Sequence, residues 1–186
     1  MRSSSRNSRG KPSALGLAVA VASVLLGSAA QAGEHNFVLT AYSNGRGGPA
    51  LVSGDYDAAG KALSFKPALS AFDTSTNSNN RCVSLTVTRQ WNAARAACDK
   101  AVSDAERERI SLPSSEYWAR SMENDYVAVA LSNRAVLHWM ADESDAAAAD
   151  LERAAALSPK SAFVKRNKSA LEFSHSQLAR VDVASK

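Results

Sequence analysis

Leu131–Pro159 reads LSNRAVLHWMADESDAAAADLERAAALSP, and this stretch decides the fold. Apolar residues recur at helical spacing on both sides of a polar Ala-Asp-Glu-Ser break, so the spacing predicts two amphipathic helices joined by a tight turn. Ala135, Ala147 and Ala154 are small enough to let two helix backbones approach, and Leu151 is placed to fill the hollow between them. Burial of such an aliphatic side chain contributes roughly 1.5–3 kcal/mol. Pro159 stops the second helix because it has no N–H and crowds the preceding turn.

The same pattern occurs elsewhere in the chain. At a shift of 53 residues, Asn80, Arg81, Val83, Ala94, Cys98 and Ala101 fall on Asn133, Arg134, Val136, Ala147, Leu151 and Ala154. A shift of 35 in the other direction brings Trp91, Ala94 and Cys98 onto Tyr56, Ala59 and Leu63, within Gly54–Leu63. Self-similarity at such periods is the mark of a repeat architecture, and the second shift is close to a 34-residue unit. Ala147, Leu151, Ala154 and Pro159, with Ala135 in the first helix, resemble the tetratricopeptide (TPR) family's small, bulky, small and proline slots.

The resemblance implies an all-α fold: antiparallel helical hairpins stacked as a short TPR-like α-solenoid with a C-terminal capping helix. The expected units are a degenerate repeat over about 43–67, a repeat over about 75–108, an inserted helix over about 114–127, a repeat over about 128–159 and a cap over 160–181. The polar run Asp73–Asn80 reads as a break after the degenerate repeat, and Asn36–Tyr42 fits either an extended segment or the lead into a helix. Glu116–Met140 lacks Pro and Gly, so one long helix can lead into the last repeat.

Upstream, Arg2, Arg6, Arg9 and Lys11 precede an uncharged apolar run, Ala14–Leu26, and then Ala30-Gln31-Ala32. That is the layout of a secretory signal peptide, with 1–32 removed and 33–186 forming the helical domain. A periplasmic or secreted location follows, with no stable membrane span after cleavage. Loss of those four of the 22 Lys and Arg leaves 18 against 18 Asp and Glu, so the basic balance belongs to the export signal. Nucleic acid is not an expected partner, since that footprint requires a basic patch on the folded domain.

Catalytic patterns are missing. Gly54–Ala62 has five residues between its glycines and Ala62 where a phosphate loop needs Ser or Thr. His35, His138 and His175 form no metal-ligand spacing, and no G-x-S-x-G elbow occurs. The expectation is a non-enzyme with no cofactor and no metal site. Cys82 and Cys98 fall on facing helices of one hairpin and fit either a disulfide or two small buried hydrophobes. Arg134 and Asp150 lie nearly opposite in the next hairpin and read as a structural ion pair, whereas Arg81 in the earlier unit faces Ala97.

In the TPR family an asparagine of the first helix often holds the ligand backbone, and Asn80 and Asn133 match that slot. Val129, Ser132, Val136, Trp139 and Met140 are their expected exposed neighbours. Thr76 and Val129 stand where carboxylate-gripping members of the family carry Lys and Arg, so that activity is not implied. The resemblance therefore implies a protein-interaction scaffold that captures a peptide or partner helix. The alternative is an accessory or stress-related envelope protein whose repeats mediate self-association.

Overall fold

A computed structural model describes residues 21–25, 36–64, 74–111 and 117–184. Apart from the backbone of 21–25, the expected signal segment with its cleavage site lies outside these residues, as does His35. The described chain is all-α, with two short strands: β1 (Val21–Leu25), β2 (Val38–Tyr42), α1 (Gly48–Ser53), α2 (Tyr56–Ser64), α3 (Thr74–Val87), α4 (Trp91–Ser111), α5 (Tyr117–Met140), α6 (Ser144–Leu157) and α7 (Ala162–Ala184). The α3/α4 and α5/α6 pairs are the two most extensive helix pairings among the described residues, and α4 also packs on α5.

Three of the turns have one backbone geometry. Gly54, Arg89 and Asp142 each adopt a left-handed conformation (φ 79°, 56° and 62°), and they are spaced by the same 35 and 53 residues as the sequence match. The next residue's N–H reaches back five positions in every case: Asp55 to Ala50, Gln90 to Leu85 and Glu143 to His138, at 2.9–3.0 Å. The left-handed residue itself donates three positions back, to Leu51, Thr86 and Trp139. This double closure satisfies the last carbonyls of the first helix and reverses the chain. The internal similarity is thus structural, including in the degenerate unit, where Asp55 Oδ1 accepts the Ala58 N–H at 2.9 Å and caps α2.

Small residues do the packing work assigned to them. Ala94, Ala101, Ala135, Ala147 and Ala154 are fully buried, with Leu151 and Leu137 between the helices. α5 runs unbroken through both the expected inserted helix and the first helix of the last repeat. Cys82 and Cys98 form a disulfide between α3 and α4, their Cα atoms 4.6 Å apart. Among the described residues no helix is long and apolar enough to cross a membrane.

One expectation is corrected here. The polar run is no break: from Thr74 onward it forms the first turns of α3, with Ser75, Ser78, Asn79 and Asn80 buried. Asn and Ser have modest helix propensity, so tertiary contacts set this stretch. Those contacts come from β2.

Candidate functional site

Within Asn36–Tyr42 the chain forms the strand β2 (Val38–Tyr42), which packs across α3 and α5, the first helices of the two hairpins, and α7. Three asparagines hold it, one from each helix. The Val38 N–H donates to Asn167 Oδ1 at 2.7 Å, while Asn167 Nδ2 donates to the Val38 carbonyl at 2.9 Å. Asn133 closes the same pair of bonds on Thr40, both at 2.8 Å. Asn80 does so on Tyr42, again both at 2.8 Å. A carboxamide carries a donor and an acceptor side by side, which matches the N–H and C=O that one strand residue presents on the same edge.

Alternate residues are gripped because alternate residues present those groups on that edge. Two strand residues advance roughly 6.6–6.8 Å, less than the roughly 8–10 Å between packed helices, so one clamp per helix relies on the reach of the asparagine side chains to make up the difference. Further bonds tie the clamps together. Asn79 Nδ2 donates to the Thr40 carbonyl at 2.9 Å, and Asn79 Oδ1 accepts from Asn133 Nδ2 at 2.9 Å. Ser132 Oγ accepts from Asn167 Nδ2 at 2.8 Å, and Asn77 Oδ1 takes the Arg46 N–H at 2.7 Å.

Side chains settle the register. Phe37, Leu39 and Ala41 pack among Val83, Val136 and Ala170, which follow the three clamping asparagines by one helical turn. Phe37 also stacks on Trp139, with ring centroids 4.3 Å apart. A one-residue slip would put Val38, Thr40 and Tyr42 on that face and misplace the whole set. Beyond Tyr42 the chain turns sharply at Gly45 and Gly48. A Cβ on Gly48 would lie 2.0 Å from the Tyr42 carbonyl oxygen, and one on Gly45 would lie 2.8 Å from Asn80 Nδ2. Only glycine permits the backbone to come that close.

The strand's other face is less complete. Thr40 and Tyr42 line a cavity of about 680 Å³ together with Met122, Tyr126 and Val129 of α5 and Phe163 of α7. Tyr42 packs against Tyr126 at 5.2 Å, and both the Thr40 and the Tyr42 hydroxyl are buried without a hydrogen-bond partner. Desolvation, then the neighbouring Tyr126, Asp125 and Glu108, hold the Tyr42 hydroxyl well above the ordinary tyrosine range. Asp125 receives the Ser158 hydroxyl at 2.5 Å on the cavity wall.

The expected partner-binding residues are therefore redistributed. Asn80 and Asn133 do hold an extended backbone, but it belongs to this chain. Val129, Ser132 and Val136, expected to be exposed, are buried, because the strand and its supporting bonds cover the face they share. Trp139 and Met140 instead border a second opening, of about 590 Å³, with Trp91 and Phe173. Sequence reasoning missed Asn167, whose segment reads as a polar-backed cap. The signal was present: Asn167 lies 34 residues after Asn133, as Leu171 does after Leu137.

At the α5/α6 end, Arg134 grips Asp150 through two bonds of 2.7 Å and reaches Asp99 at 2.9 Å. The bond to Asp150 raises the guanidinium further above its ordinary range. Glu143 binds Arg95 at 2.7 Å and His138 at 2.6 Å, and these bonds, that of Arg95 first, pull its carboxyl down to about 2. These groups fasten helices to one another. Among the described residues no cluster of His, Cys, Asp and Glu is arranged to hold a metal. Comparison with protein-family models, curated proteins and solved structures gives no match to the chain.

Proposed function

We propose that this chain is an exported, non-catalytic protein-interaction scaffold of the TPR kind, working in the periplasm or outside the cell. Its first helices form a concave face on which the chain's own β2 lies as a fixed floor. A partner's peptide or helix docks on what that floor leaves open. The observation that carries this reading is the pair of unequal faces of β2. One carries Phe37, Leu39 and Ala41 into the helices, while the other, with Thr40 and Tyr42, borders a largely apolar cavity behind which their two hydroxyls lie buried without partners. Cavities of several hundred Å³ with a few converging polar groups are the usual form of a recognition site.

A photo-crosslinking residue in place of Met122, which is 48% exposed on the cavity wall, tests the reading in living cells. The control site is Glu152 on α6, whose side chain is 70% exposed. A discrete adduct from position 122 and none from 152 is the expected result. The same adducts from both positions, or none from either, would remove this face from consideration. An adduct of twice the chain's mass would transfer the function to self-assembly.

A further inference from the structure

A strand has two edges, and the asparagines occupy only one edge of β2. Because the N–H and C=O of a strand residue point to the same edge, Val38, Thr40 and Tyr42 face the clamps and Leu39 and Ala41 face away. The second edge is taken by β1, antiparallel, with Val24 opposite Leu39 and Ala22 opposite Ala41. Those two positions are the hydrogen-bonded pairs of this ribbon, since they carry the groups that the asparagines leave over. β1 is drawn from the Val-Ala-Ser-Val-Leu core of the export signal.

We propose that this edge of β2 is a strand-addition site, and that its partner is an extended apolar segment rich in Val, Ala and Leu, paired antiparallel. In the precursor the chain's own Val21–Leu25 is seated there. Cleavage after Ala32 removes that occupant and leaves two residues of backbone donors and acceptors open on a strand that the clamps hold rigid. Unpaired edge groups template another strand, and main-chain bonds of this sort supply affinity while alternate side chains supply selectivity. The ladder of asparagines strengthens the case, because it satisfies the first edge without using a neighbouring strand. The site rests on the interaction reading above and gives it a partner chemistry.

Amide hydrogen exchange on the full chain provides the test, with Thr40 and Tyr42 as internal standards because asparagines hold their N–H groups. Val24→Pro removes the N–H that pairs with the Leu39 carbonyl. The expected result is that Leu39 and Ala41 exchange about ten-fold or more faster while Thr40 and Tyr42 do not change. A synthetic peptide of residues 20–27, lysine-tagged for solubility, then restores protection of Leu39 and Ala41, and its Ser23→Pro, Val24→Pro version does not. The same four amides measured in protein recovered from the cell envelope provide a second reading that does not depend on the variant's folding. Leu39 and Ala41 remaining as protected as Thr40 and Tyr42 in both samples, or a peptide without effect, would overturn the proposal. Restored protection without an adduct at position 122 would keep the edge and discard the concave-face partner; an adduct without restored protection would do the opposite.

Discussion

The α3/α4 and α5/α6 hairpins share turn geometry and helix pairing, yet different chemistry fastens them. In the first, Cys82 and Cys98 are covalently joined. At the corresponding positions, 53 residues on, the second hairpin has Ala135 and Leu151, both buried in one apolar cluster. Conversely, the second has Arg134 clamped to Asp150, where the first has exposed Arg81 opposite Ala97. Backbone shape is thus common property, and the fastening is local. The difference teaches that the repeat specifies a small-residue contact and a turn. A disulfide, an aliphatic or an ion pair can each be added to it.

The largest test of that comparison removes the covalent fastening. Cys82→Ala with Cys98→Ala should lower stability by about 3 kcal/mol, the chain-entropy value for a loop of this length. Urea unfolding of the oxidised protein against the variant measures it. No loss would mean that the α3/α4 contact is self-sufficient, as the α5/α6 contact is.

Asn133→Ala strikes a feature common to both hairpins. It orphans the buried Thr40 N–H and the Asn79 Oδ1 while Asn79 still serves the Thr40 carbonyl. A cost of about 2 kcal/mol is expected, since each unsatisfied buried group costs roughly 1–3 kcal/mol. A loss under about 0.5 kcal/mol in the same assay would show that β2 contributes little to the fold.

Asp150→Ala removes the second hairpin's own fastening and leaves Arg134 with Asp99 alone. About 1 kcal/mol is expected, above the usual surface pair because both partners are largely covered. The nearby Glu143 carboxyl adds a pH signature. Its folded value is depressed, so its contribution is present above the ordinary 4.5 and is lost as pH falls toward about 2. Acid titration followed by the Glu143 carboxyl resonance should place the midpoint near the lower value. A midpoint at the ordinary value would mean that the Arg95 and His138 bonds do not persist in solution.

Arg89→Gly should have the smallest effect and the opposite sign. A left-handed arginine is strained, and glycine at this helix-terminating position relieves it, raising stability by about 0.5–1 kcal/mol. Asp142→Gly should gain less, because Asp tolerates that conformation better. Equal gains, read from thermal midpoints, would show that the two turns are closer in energetics than in sequence.

Much of the fold was legible because helical hairpins are built from local spacing. The helical spacing over Leu131–Pro159 located its turn, its Ala and Leu contacts and the Arg134–Asp150 pair, and the 53- and 35-residue shifts carried the pattern to the earlier units. The asparagine slot was legible only by resemblance, and its third member, Asn167, was hidden in a charged helix that reads as a cap. Nor did the burial of Asn79 and Asn80 show itself, because a run of Ser, Thr and Asn reads as a break until something covers it.

By itself, then, the sequence determined the helices, their reversals and which small residues meet, since each depends on residues three, four or one repeat apart. Only the tertiary structure decided what lies across the first-helix face. That choice depends on a strand whose backbone, not its side chains, is recognised, by amides up to 129 positions away. Backbone groups are alike at every residue, so no pattern in the chain announces which of them will be held.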